Sequence, residues 1–217
     1  MSTTEAKDTG ERLMDVAERL FGERGVGHVS LRDITGKAGA NVAAVNYHFG
    51  SRQGLVDAVF NRRMEPLNEE RIRQLDEALA EAGDGPPTLE AILRAFIGPT
   101  FVLNRAHPEY MQFLARLHVE STEVEQRFLH AGRFQELIAK MRIALLAVFP
   151  DGPVGELWWG TNFLVGSMIH TWSKGLDMER LSGGAARYES DDHVIDRLVR
   201  FGAAGLRKLA TGGEARS

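Results

Sequence analysis

The 217-residue sequence contains no cysteine. This absence excludes disulfide frameworks, thiolate metal sites, cysteine nucleophiles and thiol redox switches, and it fits a cytoplasmic protein. The sequence also has no run of about 18 apolar residues, and the segment from Met1 to Glu11 is polar and mixed in charge. We therefore expect neither a membrane span nor a signal peptide.

Catalytic signatures are missing as well. The seven histidines include no HExxH or His-x-His spacing, and the sequence has neither a glycine-rich phosphate loop after a strand pattern nor a GxSxG turn. The sequence therefore predicts a protein that is not an enzyme and that needs no metal or cofactor.

Positive charge is not in excess over the whole chain. There are 26 Lys and Arg residues against 30 Asp and Glu residues, a net charge of −4, whereas nucleic-acid-binding proteins usually carry a surplus of basic residues. A phosphate-binding surface needs only a local positive potential, however. Between His28 and Arg63 there is a modest local excess of three basic residues. The basic residues are Arg32, Lys37, Arg52, Arg62 and Arg63, and the acidic ones are Asp33 and Asp57.

Apolar residues recur at spacings of three and four along most of the chain, and no segment alternates apolar and polar residues as a strand does. With 43% hydrophobic and 26% charged residues, this pattern predicts a folded, all-α protein. The expected helices are Thr9–Phe21, Leu31–Ala38, a short helix after Asn41, a long helix over about 52–82 and, beyond a Gly/Pro turn at 82–87, Thr88–Leu103, Pro108–Glu120, Val124–Phe149, Val154–Ser173 and Asp192–Leu209.

Two short helices are predicted between residues 30 and 49. Ser30 is a favourable N-cap for the first, with Asp33 placed for a capping box, and Asn41 is a second N-cap after the interruption at Gly39. Two helices of about eight residues joined by a short turn with glycine are typical of a helix-turn-helix, whose second helix enters the DNA major groove. The alternative is an ordinary packing corner of three helices with a solvated outer face.

A helical wheel predicts which side of the second helix faces outward. The two alanines on the outer side allow close approach to thymine methyl groups, and Tyr47 and His48 can donate hydrogen bonds to phosphates. Asn46 flanks the same side, where its amide can read an adenine edge. The predicted core side holds Val42, Val45 and Phe49, and the outer side holds Ala43, Ala44, Tyr47 and His48.

The segment from Ser30 to Leu55, SLRDITGKAGANVAAVNYHFGSRQGL, closely resembles the DNA-binding domain of the tetracycline-repressor (TetR) family of bacterial transcription regulators. The resemblance covers roughly Thr9 to Arg63, and the run NYHFGSR is its most specific part. It implies that Tyr47, His48 and Arg52 contact the DNA backbone, with Arg52 in place of the usual lysine. The predicted DNA-binding residues are Ser30, Arg32, Asn41, Ala43, Ala44, Asn46, Tyr47, His48 and Arg52.

Three blocks, Ala43–Ser51, Glu156–Gly166 and Phe201–Gly205, resemble the fatty-acid-responsive PsrA-like branch of this family. The resemblance implies a repressor that a small apolar ligand, such as a fatty acid or acyl thioester, releases from its operator. The aromatic and methionine content also suits a multidrug or aromatic-compound-responsive repressor. A third alternative is a ligand-independent DNA-binding accessory protein, which the long C-terminal half disfavours.

The ligand pocket is expected among apolar residues of the C-terminal half, although each of them singly is more often plain core. Polar residues in the same segments are more informative because their burial requires a partner. Arg116 is suited to hold a carboxylate, and Asn162 or His170 to orient a carbonyl or thioester; the alternative for each is a helix–helix hydrogen bond or a solvated face. The predicted ligand-binding residues are Phe101, Phe113, Arg116, Leu117, Phe134, Trp159, Asn162, Phe163 and His170.

The last two long helices are expected to form a homodimer. The segment Leu157–Trp172 is apolar nearly all round, and small residues from Gly202 to Gly205 permit close helix approach in the final helix. A two-fold dimer also matches a palindromic operator; the alternative is burial of both helices in one monomeric core. We divide the chain into a helix-turn-helix DNA-binding domain, residues 1–51, and a ligand-binding and dimerisation domain, residues 52–217, with helix four over about 52–82 as connector.

Overall fold

The computed structural model describes residues 3–120, 132–173 and 178–211. All regular secondary structure in these ranges is helical, which confirms the predicted all-α fold. No helix in the described ranges is long and apolar enough to cross a membrane. The helices are α1 (Thr3–Arg24), α2 (Leu31–Ala38), α3 (Val42–Phe49), α4 (Arg52–Glu81), α5 (Leu89–Ala106), α6 (Pro108–Glu120), α7 (Gly132–Val148), α8 (Val154–Ser173), α9 (Met178–Leu181) and α10 (Asp191–Thr211), and a 3-10 turn spans Val26–His28.

Helix α1 is longer at both ends than the predicted Thr9–Phe21. Gly22, one of its two expected stops, lies inside the helix, and the chain leaves the helix near Gly25, whose φ is 83°. Gly22 instead permits a close approach between helices, because a Cβ there would lie 2.6 Å from the carbonyl oxygen of Glu109 in α6.

The C-terminal helices follow the predicted pattern. The helix expected over Pro108–Glu120 and the one expected over Val154–Ser173 have the predicted bounds. Helix α10 extends beyond its predicted bounds at both ends, whereas α5 begins at Leu89, just after the predicted Thr88, and continues past the predicted Leu103 to Ala106. For the helix expected over Val124–Phe149, residues 124–131 lie outside the described residues, and the described helix covers Gly132–Val148.

The chain forms two compact units, neither of which is one continuous segment. The first contains the described residues up to Pro66 together with α6, and the second contains residues 67–106 and the described residues from 132 onward. Helix α4 continues through Pro66, and the chain returns to the first unit between Ala106 and His107. The boundaries of these units differ from the predicted domain boundary after residue 51. The first half of α4 and all of α6 belong to the unit that contains the helix-turn-helix. The functional assignment of the two domains stays a prediction.

The first unit has an apolar core to which α6 contributes. The ring centroids of Phe21 in α1 and Phe113 in α6 lie 5.8 Å apart, and the hydroxyl of buried Tyr110 donates to the carbonyl oxygen of Phe60 at 2.8 Å. Burial of these side chains stabilises the unit through the hydrophobic effect. Its fully buried apolar residues include Leu13, Ala17, Leu20, Phe21, Ile34, Val45, Leu55, Val56, Val59, Tyr110 and Phe113.

The second unit is a bundle of the end of α4 with α5, α7, α8 and α10. Helices α8 and α10 approach closely at two glycines: a Cβ at Gly160 would lie 2.6 Å from the Leu206 side chain, and one at Gly202 would lie 2.9 Å from Leu164. Ion pairs join α5 to α10 around this core; they are Glu90–Arg207, Arg94–Asp196 and Arg105–Asp191. The core residues include Leu75, Leu89, Ile92, Leu93, Phe96, Ile97, Leu137, Met141, Ala144, Leu157, Leu198 and Leu206.

Candidate nucleic-acid interface

Helix α2 begins at a complete capping box. Ser30 Oγ accepts a hydrogen bond from the backbone N–H of Asp33 at 3.2 Å, and Asp33 Oδ2 accepts one from the backbone N–H of Ser30 at 2.9 Å. Hydrogen bonds from the side chain and then the backbone of Ser30 lower the pKa of the Asp33 carboxyl below its usual value. At the other end Gly39 has a φ of 63°, the left-handed conformation that favours glycine. Helix α2 therefore has its predicted bounds.

Helix α3 also has local signals at both ends. Asn41 Oδ1 accepts a hydrogen bond from the backbone N–H of Ala44 at 2.9 Å, and Gly50 ends the helix with a φ of 73°. The turn into α4 is tight: a Cβ at Gly54 would lie 1.9 Å from the carbonyl oxygen of Phe49. These contacts hold α3 between two defined turns, as the sequence predicts for the second helix of a helix-turn-helix.

The exposed face of α3 consists of four residues. Val42 is 39% exposed, Tyr47 is 79% exposed, and Ala43 and Asn46 are also exposed, while Val45 is fully buried. At 100° per residue, the four exposed residues occupy one continuous arc of about 140°. We call these residues, Val42, Ala43, Asn46 and Tyr47, the α3 face.

The predicted outer side of α3 is therefore partly wrong. Val42, assigned to the core, is exposed, whereas Ala44 and His48, assigned to the outside, are only partly exposed. The buried side is centred between the fully buried Val45 and the partly exposed His48, so it is rotated relative to the predicted core side of Val42, Val45 and Phe49. A wheel shows which residues share a side, but contacts with neighbouring helices decide where the buried side is centred.

His48 lies against α1. A Cβ at Gly10 would lie 3.4 Å from His48 Nδ1, and the His48 ring contacts the Tyr47 ring edge to face with centroids 5.0 Å apart. His48 thus supports the orientation of Tyr47, which carries the more exposed ring. A phosphate contact by His48 itself stays a prediction.

Arg52 holds the turn before α2. Its Nη2 donates to the carbonyl oxygens of Val26 and Val29, the latter at 3.1 Å, and its side chain is partly buried. The predicted phosphate contact of Arg52 is not tested by these bonds, but the guanidinium has a structural role that the sequence did not indicate.

Two of the five basic residues in the local surplus are paired with carboxylates of α1. Arg62 lies 2.7 Å from Asp15 and 3.3 Å from Glu11, and Arg63 lies 3.6 Å from Glu18. Burial raises the pKa of the Glu18 carboxyl, and the nearby Arg63 opposes that shift. Arg62 and Arg63 therefore do not add free positive charge to the local surplus. Arg32 and Lys37 of α2 remain exposed.

Three of the predicted ligand-binding residues lie in the first unit, on α6. Arg116 donates from Nε to the carbonyl oxygen of Gly22 at 2.8 Å and from Nη2 to that of Glu23 at 3.0 Å, so it caps the end of α1. Phe113 and Leu117 are buried in the core of the first unit. Arg116 therefore has a capping role, and its assignment to a ligand carboxylate stays a prediction.

The other predicted ligand residues do not line one closed pocket of the second unit. Trp159 and Phe163 of α8 are 57% and 58% exposed and stack on each other with centroids 5.8 Å apart. Asn162 and His170 are exposed on the same helix, and only Phe101 is fully within the apolar core. Phe134 on α7 is partly buried. An apolar helix contributes to a surface as well as to a core, so the role of these residues in ligand binding stays a prediction.

The second unit contains a buried polar cluster that the sequence analysis missed. Arg71 of α4 is 5% exposed and donates to the carbonyl oxygen of Phe96 at 3.0 Å, to Asn68 Oδ1 at 3.1 Å and to Thr100 Oγ1 at 2.6 Å. Its guanidinium carbon lies 4.3 Å from the centroid of the Phe96 ring. The only sign of this cluster in the sequence is that Arg71 occupies a position of α4 where the helical pattern otherwise places apolar residues. The cluster joins α4 to α5 within the second unit.

Two family models match the chain. Residues 13–59 match the model described as bacterial regulatory proteins, tetR family, and residues 94–205 match the tetracyclin repressor-like C-terminal domain. The first match contains α2, α3 and the turn at Gly54. The second covers about half of the chain and begins within α5.

Curated relatives match this chain over part of its length. The HTH-type transcriptional repressor KstR2 of Rhodococcus jostii (strain RHA1) is 32% identical over 81 residues, 37% of this chain and 38% of that protein. The HTH-type transcriptional regulator AcrR of Shigella flexneri is 33% identical over 72 residues, 33% of this chain and 31% of that protein. The chain thus spans less than half the length of these relatives.

Solved structures share the fold over nearly the whole chain. A tetR family transcription regulator from Shewanella sp. PV-4 superposes with a TM-score of 0.61 at 15% identity and covers 90% of this chain and 96% of that one. The regulator FadR from Bacillus subtilis, in complex with stearoyl-CoA, has a TM-score of 0.55 at 14% identity and covers 93% and 98%.

Proposed function

Because the chain belongs to the tetR family of bacterial regulatory proteins, we propose that it is a repressor that binds operator DNA through α3 and releases it when a small apolar ligand binds. Members of this family are DNA-binding transcription regulators and not enzymes, as the sequence predicts. The observation that carries the proposal is the α3 face: an uncharged, exposed side of a capped helix in the segment that the family model matches. An operator-binding protein acts where the DNA is, which keeps the cytoplasm as its proposed location.

The proposed phosphate contacts are made from α2, Tyr47 and the start of α4. Tyr47 is exposed and oriented by His48, and Arg32 and Lys37 supply positive charge beside α3. Phosphate contacts position a protein on the duplex without reading sequence. The remaining predicted contacts, Ser30, Asn41 and Ala44, lie at the ends or the partly buried side of the short helices.

Fluorescence anisotropy with a duplex from the region upstream of the protein's own gene, in the presence of competitor DNA, tests operator binding. Tyr47→Phe should lower affinity for every sequence by roughly tenfold, the value of one hydrogen bond to a charged group. Tyr188→Phe is the matched control, since Tyr188 is also exposed but lies in the second unit. A wild-type protein with no sequence preference at moderate salt contradicts the proposal.

The proposed homodimer uses the outer surfaces of α8 and α10. Trp159 and Phe163 on α8 and Phe201 on α10, 65% exposed, present large aromatic rings to solvent in a single chain. Large exposed aromatic side chains of this kind are typical of interaction surfaces. An isologous contact would place these aromatic residues against the same residues of a second copy.

Sedimentation of the purified protein tests this interface. Phe163→Asp should convert the dimer to a monomer, whereas Ile143→Asp, which alters a similarly exposed apolar residue of α7, should leave the dimer intact. A dimer that tolerates Phe163→Asp contradicts the assignment of the interface.

The proposed ligand is a fatty acid or acyl thioester. The PsrA-like blocks support this class, and a regulator of the same fold has been solved with stearoyl-CoA. An acyl chain gains about 0.8 kcal/mol for each buried methylene, so affinity should rise with chain length until further methylenes are no longer buried. Native mass spectrometry for a co-purified molecule, followed by titration of an acyl series, tests the class. Binding of an aromatic compound but of no acyl chain supports the multidrug alternative instead.

The proposed switch depends on α4. This helix is continuous from Arg52, next to the helix-turn-helix, to Glu81 in the second unit. A ligand that tilts α4 changes the separation of two recognition helices that must reach major grooves about 34 Å apart. By linkage, the factor by which ligand weakens operator binding equals the factor by which operator weakens ligand binding. A ligand that binds tightly and leaves operator affinity unchanged contradicts this mechanism.

A further inference from the structure

One edge of the α3 face pairs an apolar side chain with an amide. Val42 and Asn46 are four residues apart, so their side chains are neighbours on one side of the helix. Val42 is 39% exposed even though the adjacent Val45 is fully buried. Capping does not explain the position of either residue, because Asn41 supplies the cap through Oδ1.

The chemistry of these two side chains matches one kind of base pair. A branched aliphatic group has no hydrogen-bonding atoms, and the apolar group that the major groove offers it is the 5-methyl of thymine. A carboxamide has one donor and one acceptor side by side, which complement the N7 acceptor and N6 donor of adenine. Guanine presents two acceptors and cytosine one donor at these edges, so neither satisfies the amide in both positions.

The α3 face also lacks the usual readers of guanine. Arginine and lysine make the commonest specific contact, a bidentate bond to guanine O6 and N7, and α3 contains neither residue between Val42 and Phe49. Ala43 adds a second small apolar group beside Val42 and is exposed. The only ring in the α3 face, Tyr47, lies at its C-terminal end.

We propose that Val42 and Asn46 are the specificity-determining residues of α3 and that they read adjacent A·T pairs in each half-site, Val42 through a thymine methyl group and Asn46 through an adenine edge. This inference rests on the proposed operator binding and names the bases that it requires. The sequence analysis assigned Ala44 to a thymine methyl group, but Ala44 is only partly exposed. The inference assigns this contact to Val42 instead.

The test begins with a duplex that the full-length protein selects from a random-sequence pool. Each thymine of the half-site is then replaced singly by deoxyuridine, which removes only the 5-methyl group. One or two replacements should weaken wild-type binding by about fourfold, the factor that burial of one such group provides. Val42→Ala should bind the thymine and deoxyuridine duplexes equally.

A parallel series replaces each adenine by 7-deazaadenine, which removes the N7 acceptor. One position should weaken wild-type binding by at least fivefold, in the range of a lost bidentate contact, and Asn46→Ala should be insensitive to it. Lys37→Ala is the control: it should weaken all duplexes alike and keep both base sensitivities. Equal thermal unfolding temperatures show that each variant is folded.

The outcomes separate the inference from the proposed function. A selected half-site in which no thymine or adenine replacement weakens wild-type binding, or deoxyuridine sensitivity that persists in Val42→Ala, overturns the inference while operator binding stands. Selection of no preferred sequence by the wild-type protein overturns operator binding itself. The inference and the proposed function are both supported if the sensitivity to deoxyuridine disappears in Val42→Ala and the sensitivity to 7-deazaadenine disappears in Asn46→Ala.

Discussion

Gly22 of α1 and Glu109 of α6 meet backbone to backbone: a Cβ at Gly22 would lie 2.6 Å from the Glu109 carbonyl oxygen. Backbone cannot move aside as a flexible side chain does. The contact lies in the unit that contains the helix-turn-helix, so the packing of α6 depends on the absence of a side chain at position 22.

Gly22→Ala should therefore lower the free energy of unfolding by about 1–3 kcal/mol, the usual cost of overpacking. Gly36→Ala is its matched control, because Gly36 lies within exposed α2 with no atom within 4 Å of the added Cβ; it should raise stability by about 0.5–1 kcal/mol. Urea unfolding of the two variants gives the comparison. A Gly22→Ala protein as stable as wild type would show that α1 and α6 can separate without cost.

Arg52 has two roles that substitutions can separate. Arg52→Ala removes both hydrogen bonds to the turn before α2 and should cost about 1–2 kcal/mol in stability. If Arg52 also contacts a phosphate, the same variant should weaken binding to all sequences and reduce the slope of log affinity against log salt by about 0.9. Arg52→Lys keeps the charge, so it should preserve the slope of log affinity against log salt. It should still lose the stability that the two guanidinium hydrogen bonds contribute. An unchanged slope in Arg52→Ala would leave Arg52 with the structural role alone.

The Arg71 cluster should be more important for stability than a surface arginine of the same helix. Arg71→Met removes the donor to Phe96, Asn68 and Thr100, and buried acceptors left without a donor cost about 1–3 kcal/mol each. Arg73→Met is the control, since Arg73 forms its ion pairs with Glu70 and Glu77 at the surface and exposed pairs contribute about 0–1 kcal/mol. Thermal unfolding should show a large loss for the first variant and a small change for the second. Equal losses would contradict the assignment.

His107 should make stability depend on pH near neutrality. Burial, and then the charges of Arg63 and Arg62, lower the pKa of His107 below its usual 6.5. The unfolded chain therefore binds this proton more readily, so stability falls as pH drops from about 6.5 towards the lowered pKa. Unfolding temperatures at pH 7.5 and 5.5 should differ less for His107→Gln than for wild type. His28→Gln, at an exposed histidine, should behave as wild type, and an identical pH response in His107→Gln would refute the role.

Local signals predict the helix-turn-helix well. The caps at Ser30 and Asn41 and the left-handed Gly39 act within four residues of the chain, so the sequence alone indicates where α2 and α3 begin and end. The run NYHFGSR adds a resemblance specific enough to identify the family, which the family models confirm. Because signals at helix ends act over only a few residues, the predicted bounds of α6 and α8 are also correct.

The all-α class, the limits of the short helices and the family thus follow from the sequence alone. Four features follow only from the folded chain: the exposed side of α3, the capping of α1 by Arg116 across 94 positions of sequence, the pairing of Arg62 with carboxylates of α1, and the surface positions of Trp159 and Phe163. These outcomes depend on contacts between residues far apart in the chain. Periodicity reports that a side chain is apolar or charged, but the energy of its burial depends on what the fold places next to it.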